Sequence, residues 1–385
     1  MKITHLWQDY SPNLFDKSHP LCLAHAVGSE VVCQAFIENG AAPLPGTFWH
    51  RRRDPAESNS QALTTRLMRR LRRPLDLAGF ARLVRARVQA FQPDLLHLHF
   101  GTTAAALALR GALPQLPMVV SFYGADVSQA LRDADTLRAY RRVFELAGIL
   151  HVLCDEARQR LLDAGCPAHK IRIANLPANL DNIPDIGVTP AATTRFLIPA
   201  RFVEKKGHVV LLAAFKGLID AGLPVRLTCF GYGPTDWLVQ AVAAQGLGEV
   251  VQVVNNQQSG SFTEDYVGLL REHDVVLAPS IRAANGDDEG GPALTLVMAQ
   301  AAGKPVIVSD FPGAERSVSD GHEGLVVPAG DVAALQRAMS CLVGQHLLWQ
   351  RFGQAGQQRV VHEFSDAAYW AQLHDWYHTC AGRRP

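Results

Sequence analysis

Nowhere in the 385 residues does an apolar run approach the ~18 residues that a membrane-spanning helix needs, which argues against an integral membrane protein. The start, MKITHLWQDY, lacks the charged segment and following apolar stretch of a secretory leader. Cysteine is sparse: Cys22, Cys33, Cys154, Cys166, Cys229, Cys341 and Cys380 form no CxxC pair. An odd, dispersed set reads as buried free thiols in a reducing cytoplasm. No charge sign dominates, since 37 Lys+Arg meet 36 Asp+Glu. With 48% hydrophobic residues, disordered, collagen-like and disulfide-scaffold chains are excluded as well. What remains is a globular protein long enough for two or three domains, each with its own core.

The near-zero net charge hides an asymmetry. Residues 1–190 hold 22 Lys+Arg and 17 Asp+Glu, whereas residues 191–385 hold 15 and 19. The excess lies at Arg51, Arg52, Arg53, Arg66, Arg69, Arg70, Arg72, Arg73, Arg82, Arg85 and Arg87, interleaved with Leu63, Leu67, Leu71, Leu75, Phe80 and Leu83. Such a stripe suits nucleic acid, an anionic membrane surface through a basic amphipathic helix, or a solvated helix face whose Arg stems cover apolar surface. The last two readings are favoured, and no nucleic-acid partner is expected.

Short apolar runs alternate with helix-period stretches from end to end. Strands are expected at 3–7, 30–36, 95–99, 118–122, 148–153 and 171–174, and a second series at 195–200, 225–230, 250–254, 275–278, 305–308 and 325–327. Helical patterns lie between them, for example at 131–146, 208–221, 236–245 and 331–343. This is an α/β pattern of two parallel, doubly wound sheets. The stretch 175–194, with Pro177, Pro184 and Pro190, breaks both periodicities and marks the boundary. The expected division is a Rossmann-like domain at 1–180, a second at 190–365, and a terminal helix at 366–385 that returns to the first.

Ligands of open α/β sheets bind where strands end, so the strand-to-helix turns are the places to look for chemistry. In ARFVEKKGH, Arg201 leaves a strand, Lys206 and Gly207 close a turn, and His208 opens a helix. Two cations beside a helix N-terminus suit a pyrophosphate. In FGYGP, Gly231 and Gly233 let backbone approach a ligand, although a plain turn reads the same way. Glu289-Gly290-Gly291-Pro292 opens a helix that Gly303 ends. The glycines free N–H groups there, and Glu289 can accept hydrogen bonds from sugar hydroxyls or merely complement the helix dipole.

As a set and in this order, these turns and the Glu315-containing turn of DFPGAERSVSDG resemble the C-terminal domain of glycosyltransferase family 4, also called group 1. In the first half, PDLLHLHFG and VVSFYGADVS are similar to the family's exopolysaccharide branch, which includes colanic acid and amylovoran transferases. The resemblance implies the GT-B fold, two Rossmann-like domains facing across a cleft. It implies retaining transfer from a nucleotide-sugar donor to a glycan or lipid-linked acceptor, in surface polysaccharide biosynthesis. No cofactor or metal is expected. Arg201 and Lys206 would neutralise the leaving diphosphate. Glu289, with Gly207, Gly231, Gly233, Gly290, Gly291, Pro292, Ala293 and Leu294, would line the donor site. Tyr123, Asp126, His99, Gly101 and Gly124 would face the reacting centre from the acceptor domain. A cytoplasmic protein is expected, peripheral at the inner membrane face if the arginine stripe binds lipid.

Two positions depart from the family pattern. The second Glu expected in the helix after Glu289 is replaced by Val297, or by Met298 if the register is anchored on Gly303. The usual His-Gly-x-Asp reads Tyr123-Gly124-Ala125-Asp126, and a phenol donates a hydrogen bond but is a poor base at neutral pH. These departures keep a catalytically silent GT-B binding or partner subunit as the alternative. His97 and His99, an HxH on one strand face, also raise a metal-hydrolase reading, disfavoured because no complementary ligand motif accompanies them.

Overall fold

A computed structural model describes residues 1–10, 30–36, 47–52, 64–178, 180, 183–189, 191–256 and 262–382; within it, side-chain surroundings at 7–10, 30–36, 47–52 and 64–76 are outside the description. The chain divides into two compact units. One comprises Met1–Val152, Arg158–Ile173 and Gln372–Pro385, and the other Leu153–Ala157 and Ala174–Ala371.

The first unit is built on a seven-stranded sheet. Its strands are β1 (Ile3–Tyr10), β2 (Glu30–Phe36), β3 (Thr47–Arg52), β4 (Leu95–His99), β5 (Met118–Ser121), β6 (Ile149–Val152) and β7 (Ile171–Ile173). They pair in parallel in the order β3-β2-β1-β4-β5-β6-β7. Helices α1 (Thr64–Phe91), α2 (Gly101–Ala108), α3 (Ala134–Leu146) and α4 (Asp155–Asp163) connect them. Parallel strands are covered on both faces, and β4, β5 and β6 are buried along their whole length. Helix α3 starts where it does because the Asp133 carboxylate accepts from the Thr136 N–H at 2.8 Å, a Ser/Thr/Asp-type cap.

The second unit carries β8 (Thr194–Pro199), β9 (Val225–Gly231), β10 (Val251–Asn255), β11 (Val275–Ala278), β12 (Val306–Ser309) and β13 (Gly324–Val327), in the parallel order β10-β9-β8-β11-β12-β13. Its helices are α5 (His208–Asp220), α6 (Asp236–Ala244), α7 (Phe262–Glu272), α8 (Leu294–Ala301), α9 (Val332–Leu342) and α10 (His346–Glu363). Strand alternation builds the core. Phe196, Ile198, Val275, Leu277 and Ile307 join one buried cluster with Phe215, Trp349 and Phe352. Their neighbours Leu197, Val276, Val306 and Val308 join another with Phe230, Tyr266 and Phe311. Successive side chains point to opposite faces, so one run of β-branched residues serves two helical layers. A last helix, α11 (Asp366–Cys380), begins in the second unit and is grouped with the first from Gln372 onward.

In both sheets the order reverses next to the first strand, between β1 and β4 and between β8 and β11. Ligand crevices of doubly wound sheets lie at that switch point. Of the residues singled out in the sequence, His99 and Gly101 lie at the end of β4, Arg201 and Lys206 follow β8 and Glu289 follows β11, whereas Tyr123, Gly124 and Asp126 follow β5 and Gly231 and Gly233 lie at the end of β9.

Three local expectations need correction. Strand β3 was not expected, because TFWHRR runs into the arginine cluster; Arg51 and Arg52 pair with Ala35 and Phe36 of β2. The cluster is therefore not one amphipathic helix: only Arg66 to Arg87 lie in α1, and Arg53 is outside the described residues. The side chains of Arg51, Arg52, Arg66, Arg69, Arg70, Arg72 and Arg73 are also outside the description, while Arg82 and Arg85 are exposed beside buried Phe80 and Val84. Finally, Pro292 is not in a first helical turn, since α8 starts at Leu294.

Candidate active site

At the end of β8 the chain makes a short 3-10 turn, Glu204–Lys206, and then Gly207 adopts φ 71° before α5 begins. Only glycine fits: a Cβ there would lie 1.8 Å from the Pro279 carbonyl oxygen that follows β11. Helix α5 has no side-chain cap, so its first N–H groups are available to an anion. Arg201 is exposed, with no hydrogen-bond or ion-pair partner among the described residues.

The two lysines of this turn have divided their work. Lys205 is buried, and its Nζ reaches Asp287 Oδ1 at 3.1 Å and the Asp288 carbonyl at 2.9 Å, which clamps the loop after β11. Lys206 reaches Glu289 Oε1 at 2.6 Å, and the same oxygen accepts from Ser280 Oγ at 2.9 Å. Burial alone would push the Glu289 carboxyl up, but the Lys206 and Lys205 charges and the bonds from Lys206 and Ser280 hold it below its ordinary value. A carboxylate and an ammonium, 82% or more withdrawn from solvent, thus stand paired at the switch point, and Arg201 belongs to the same connection between β8 and α5 as Lys206.

The glycines behave differently from one another. A Cβ on Gly231 would lie 2.0 Å from the Ala200 carbonyl, so close strand packing already requires that glycine. Gly233 sits at φ 118° with nothing nearer than 3.8 Å, which leaves room above it. Gly290 and Gly291 are buried, and a Cβ on Gly291 would collide with Leu153 at 2.3 Å. Pro292, Ala293 and Leu294 lead into an α8 N-terminus that also lacks a side-chain cap. Val297 is fully buried against Ala178, Val360 and Phe364, and Met298 is packed into the opposite cluster. A Glu at 297 would put a charge into apolar packing.

Chain order places His208 at the start of a helix but does not show its burial. It is 1% exposed, lies among Phe202, Trp237 and Lys206, and neither ring nitrogen has a partner. Burial first, then Lys206, lowers its pKa to about 4. Between that value and about 6.5 the unfolded chain binds a proton that the folded one refuses, so stability falls as pH falls through this window. Relative to His208→Phe, the wild type should lose about 3 kcal/mol between pH 7 and 4. Urea melts of both proteins across that range check it, and parallel curves would refute it.

In the first unit, Asp126 is buried and pinned. Its carboxylate accepts from Gly101 N and Tyr123 N at 2.9 Å and from Gly124 N at 2.8 Å. Burial raises its carboxyl despite these bonds. Asp126 therefore shapes the turns after β4 and β5, with its oxygens turned to backbone and not outward. Gly101 is required because a Cβ would sit 1.9 Å from Phe122. His99, fully buried, bonds Tyr123 Oη through Nδ1 at 2.7 Å and His5 through Nε2 at 3.0 Å. His5, which the sequence did not flag, joins His97 and His99 so that one ligand atom of each lies within 4.8 Å of the others. Parallel register explains this: His5 stands opposite His97 across β1 and β4. The signal was an x-His-x pattern on both strands, legible only once their pairing is known.

Comparison with known proteins follows the same division. A family model described as "Glycosyl transferase 4-like domain" matches residues 25–176, and one described as "Glycosyl transferases group 1" matches 193–345. The amylovoran biosynthesis glycosyltransferase AmsK of Erwinia amylovora is 30% identical over 261 residues, 66% of this chain and 62% of that protein. The putative colanic acid biosynthesis glycosyltransferase WcaL of Salmonella typhimurium is 29% identical, over 64% of this chain and 61% of its own length. The match thus spans about three-fifths of each relative. Among solved structures, sucrose-phosphate synthase from Thermosynechococcus elongatus superposes with a TM-score of 0.76 at 18% identity, covering 98% of both chains. Anabaena HepE in complex with UDP-glucose superposes at 0.72 with 16% identity, covering 97% of this chain and 98% of that one. At such identities the likeness establishes the fold, GT-B.

Proposed function

Because the chain belongs to the group 1 glycosyltransferases, with a matching domain in each half, we propose that it transfers a sugar from a nucleotide-sugar donor to a glycan or lipid-linked acceptor, with retention and without a metal ion, in polysaccharide biosynthesis. The observation that carries this reading is the Lys206–Glu289–Ser280 constellation at the switch point of the second sheet, with Arg201 in the same connection between β8 and α5 as Lys206. A diphosphate seated on the uncapped N-termini of α5 and α8 would meet Arg201 and Lys206 directly. In the transfer step the glycosidic C–O bond to phosphate breaks, and both cations offset the charge that develops on the departing oxygen, the task a metal ion has in other folds. The phosphate oxygen in turn takes the acceptor proton. Glu289, kept ionised by its lysines, accepts hydrogen bonds from donor hydroxyls. The buried Val297 makes ribose recognition depend on groups other than a second Glu.

A thermal-shift panel of UDP, GDP, ADP and their common sugar conjugates, without added metal, tests this. Binding to the folded state alone stabilises by mass action, about 2.7 kcal/mol at a hundredfold excess over Kd. One clear hit that disappears in Arg201→Ala is expected. No shift with any nucleotide would overturn the donor site and with it the transferase reading.

Association with an anionic membrane is part of the proposal for the acceptor side. It rests on the arginines of α1, of which Arg82 and Arg85 are exposed; among the described residues no helix is long and apolar enough to cross a membrane. Vesicles rich in anionic lipid should sediment the protein at low salt and release it as salt rises toward ~0.5 M, where screening shortens the reach of each charge. No binding at low salt would remove the membrane from the picture.

A further inference from the structure

Two ion pairs tie the connection between β8 and α5 to the loop after β11, and they are not equally complete. Lys205, with 6% of its side chain exposed, holds Asp287 Oδ1 at 3.1 Å and the Asp288 carbonyl at 2.9 Å. Lys206 makes one hydrogen bond among the described residues, to Glu289 Oε1 at 2.6 Å, and 18% of its side chain is exposed. Glu289, with 11% exposed, receives both Lys206 and Ser280 on that oxygen, and its Oε2 takes no hydrogen bond among the described residues. Ser280 is itself fixed, since Ser309 Oγ donates to its carbonyl. An ammonium has three N–H donors and a carboxylate about four acceptor sites, so this pair keeps capacity on both sides. Spare capacity on largely buried charges is the exception in folded proteins and calls for a cause.

The surroundings of Lys206 favour negative charge. Helix α5 runs from His208 to Asp220 without a side-chain cap, so its positive end adds to the ammonium. Lys205 adds a second positive charge near Glu289. The neighbouring carboxylates are engaged elsewhere: Asp287 pairs with Lys205, and Asp288 Oδ2 lies 4.0 Å from Arg282 Nε. His208, close to Lys206, is buried and resists protonation, so it contributes no charge at neutral pH. Glu289 is thus the one carboxylate bonded to Lys206 among the described residues.

A phosphate drawn to Lys206 and to the first N–H groups of α5 has to share that ammonium with Glu289 or take it. Once Lys206 turns away, Glu289 is a buried carboxylate left with Ser280 and the charge of Lys205. Two things relieve such a group: a proton from solvent, or hydroxyl donors on its oxygens. A sugar brings hydroxyl donors, and a bare diphosphate brings none. We propose that Glu289 competes with diphosphate for Lys206, so that the site selects a sugar-bearing diphosphate over a bare one and favours release of the bare product once its sugar has gone. This rests on the transferase reading for its substrate class. It makes Glu289 a specificity-determining residue through the cation it withholds, in addition to the hydroxyls it accepts.

Calorimetry on the full-length protein tests it. Glu289→Gln keeps the side-chain shape and an oxygen for Ser280, and gives up the charge that holds Lys206. At pH 8 the nucleoside diphosphate whose base the thermal panel selects should bind this variant about 10–100-fold tighter than wild type, while its sugar conjugate gains less than about threefold. Unchanged or weaker binding of the bare diphosphate, or an equal gain for both ligands, would overturn the proposal. A second measurement needs only wild type. The methyl ester of that diphosphate has no sugar hydroxyls and no phosphate group that titrates near neutral pH. Because Glu289 takes up a proton when the ester binds, affinity for the ester should fall about tenfold or more from about pH 5.5 to 8.5, while affinity for the sugar conjugate stays level. A level profile for the ester would also overturn the proposal. If no nucleotide binds, the transferase reading fails by itself, and inorganic pyrophosphate becomes the probe. Tighter binding of pyrophosphate to Glu289→Gln than to wild type would uphold the competition for Lys206, and equal binding or none would end it.

Discussion

Alanine in place of Lys206 is expected to lower turnover by about 100–1,000-fold and also to lower melting, because the buried Glu289 carboxylate then keeps only the Ser280 bond and the Lys205 charge. The size follows from where the ammonium stands. It is held by Glu289 at 2.6 Å, mostly out of solvent, next to the uncapped start of α5. A cation preorganised in such a site stabilises charge that develops on a leaving phosphate without first shedding water. Its removal also deprives Glu289 of its nearest counter-ion, so the carboxyl should titrate higher and the activity of the variant should fall off at a higher pH than that of wild type. Lys205→Ala is the contrasting variant. Lys205 spans Asp287 and the Asp288 carbonyl, so its loss should lower melting first and turnover only through the loop it clamps. Initial rates and melting curves for both variants separate the two roles, and an unchanged rate in Lys206→Ala would take that residue out of the mechanism.

The second large effect is structural. Asp274→Ala should destabilise the second unit by about 3–5 kcal/mol, a drop in Tm of about 10 °C. Asp274 is 1% exposed and receives three bonds from Arg195, at 2.8 Å from the backbone N–H, 3.0 Å from Nε and 2.7 Å from Nη2. It also supplies negative charge near Lys304, which is 3% exposed and whose pKa burial lowers to about 8. Without the carboxylate, a buried ammonium loses its counter-charge and the guanidinium fork loses both acceptors. Because Arg195 is partly solvated and can rehydrate, most of the cost should sit with Lys304. The double variant Asp274→Ala, Lys304→Met should therefore recover part of the lost stability in calorimetry. A loss under ~1 kcal/mol in the single variant would mean that water replaces the fork at little cost.

Much of this could be read in the amino-acid order alone. The two strand series, the helices at His208 and Asp236 and the helix stop at Gly303, which takes φ 76°, all follow from local periodicity and from glycine's conformational freedom. The exception was β3, whose arginines mask a strand that exists because β2 offers it a partner. The position of Arg201, Lys206 and Glu289 after β8 and β11 was legible, because those residues follow strands that periodicity reveals.

What chain order could not decide was which partner each of two adjacent lysines holds. Lys205 and Lys206 are equivalent in sequence; the 3-10 turn and the loop after β11, about eighty residues away, send one inward to Asp287 and the other to Glu289. The same holds for Asp126, which sequence resemblance places toward the reacting centre and the fold spends on three backbone N–H groups. It holds again for His5 and Tyr377, whose partners lie 94 and 280 residues off in the chain. Local periodicity depends on neighbours a few residues apart and is carried by the sequence itself. A hydrogen bond or a counter-ion depends on distances of about 3 Å, which only strand register and loop packing can set.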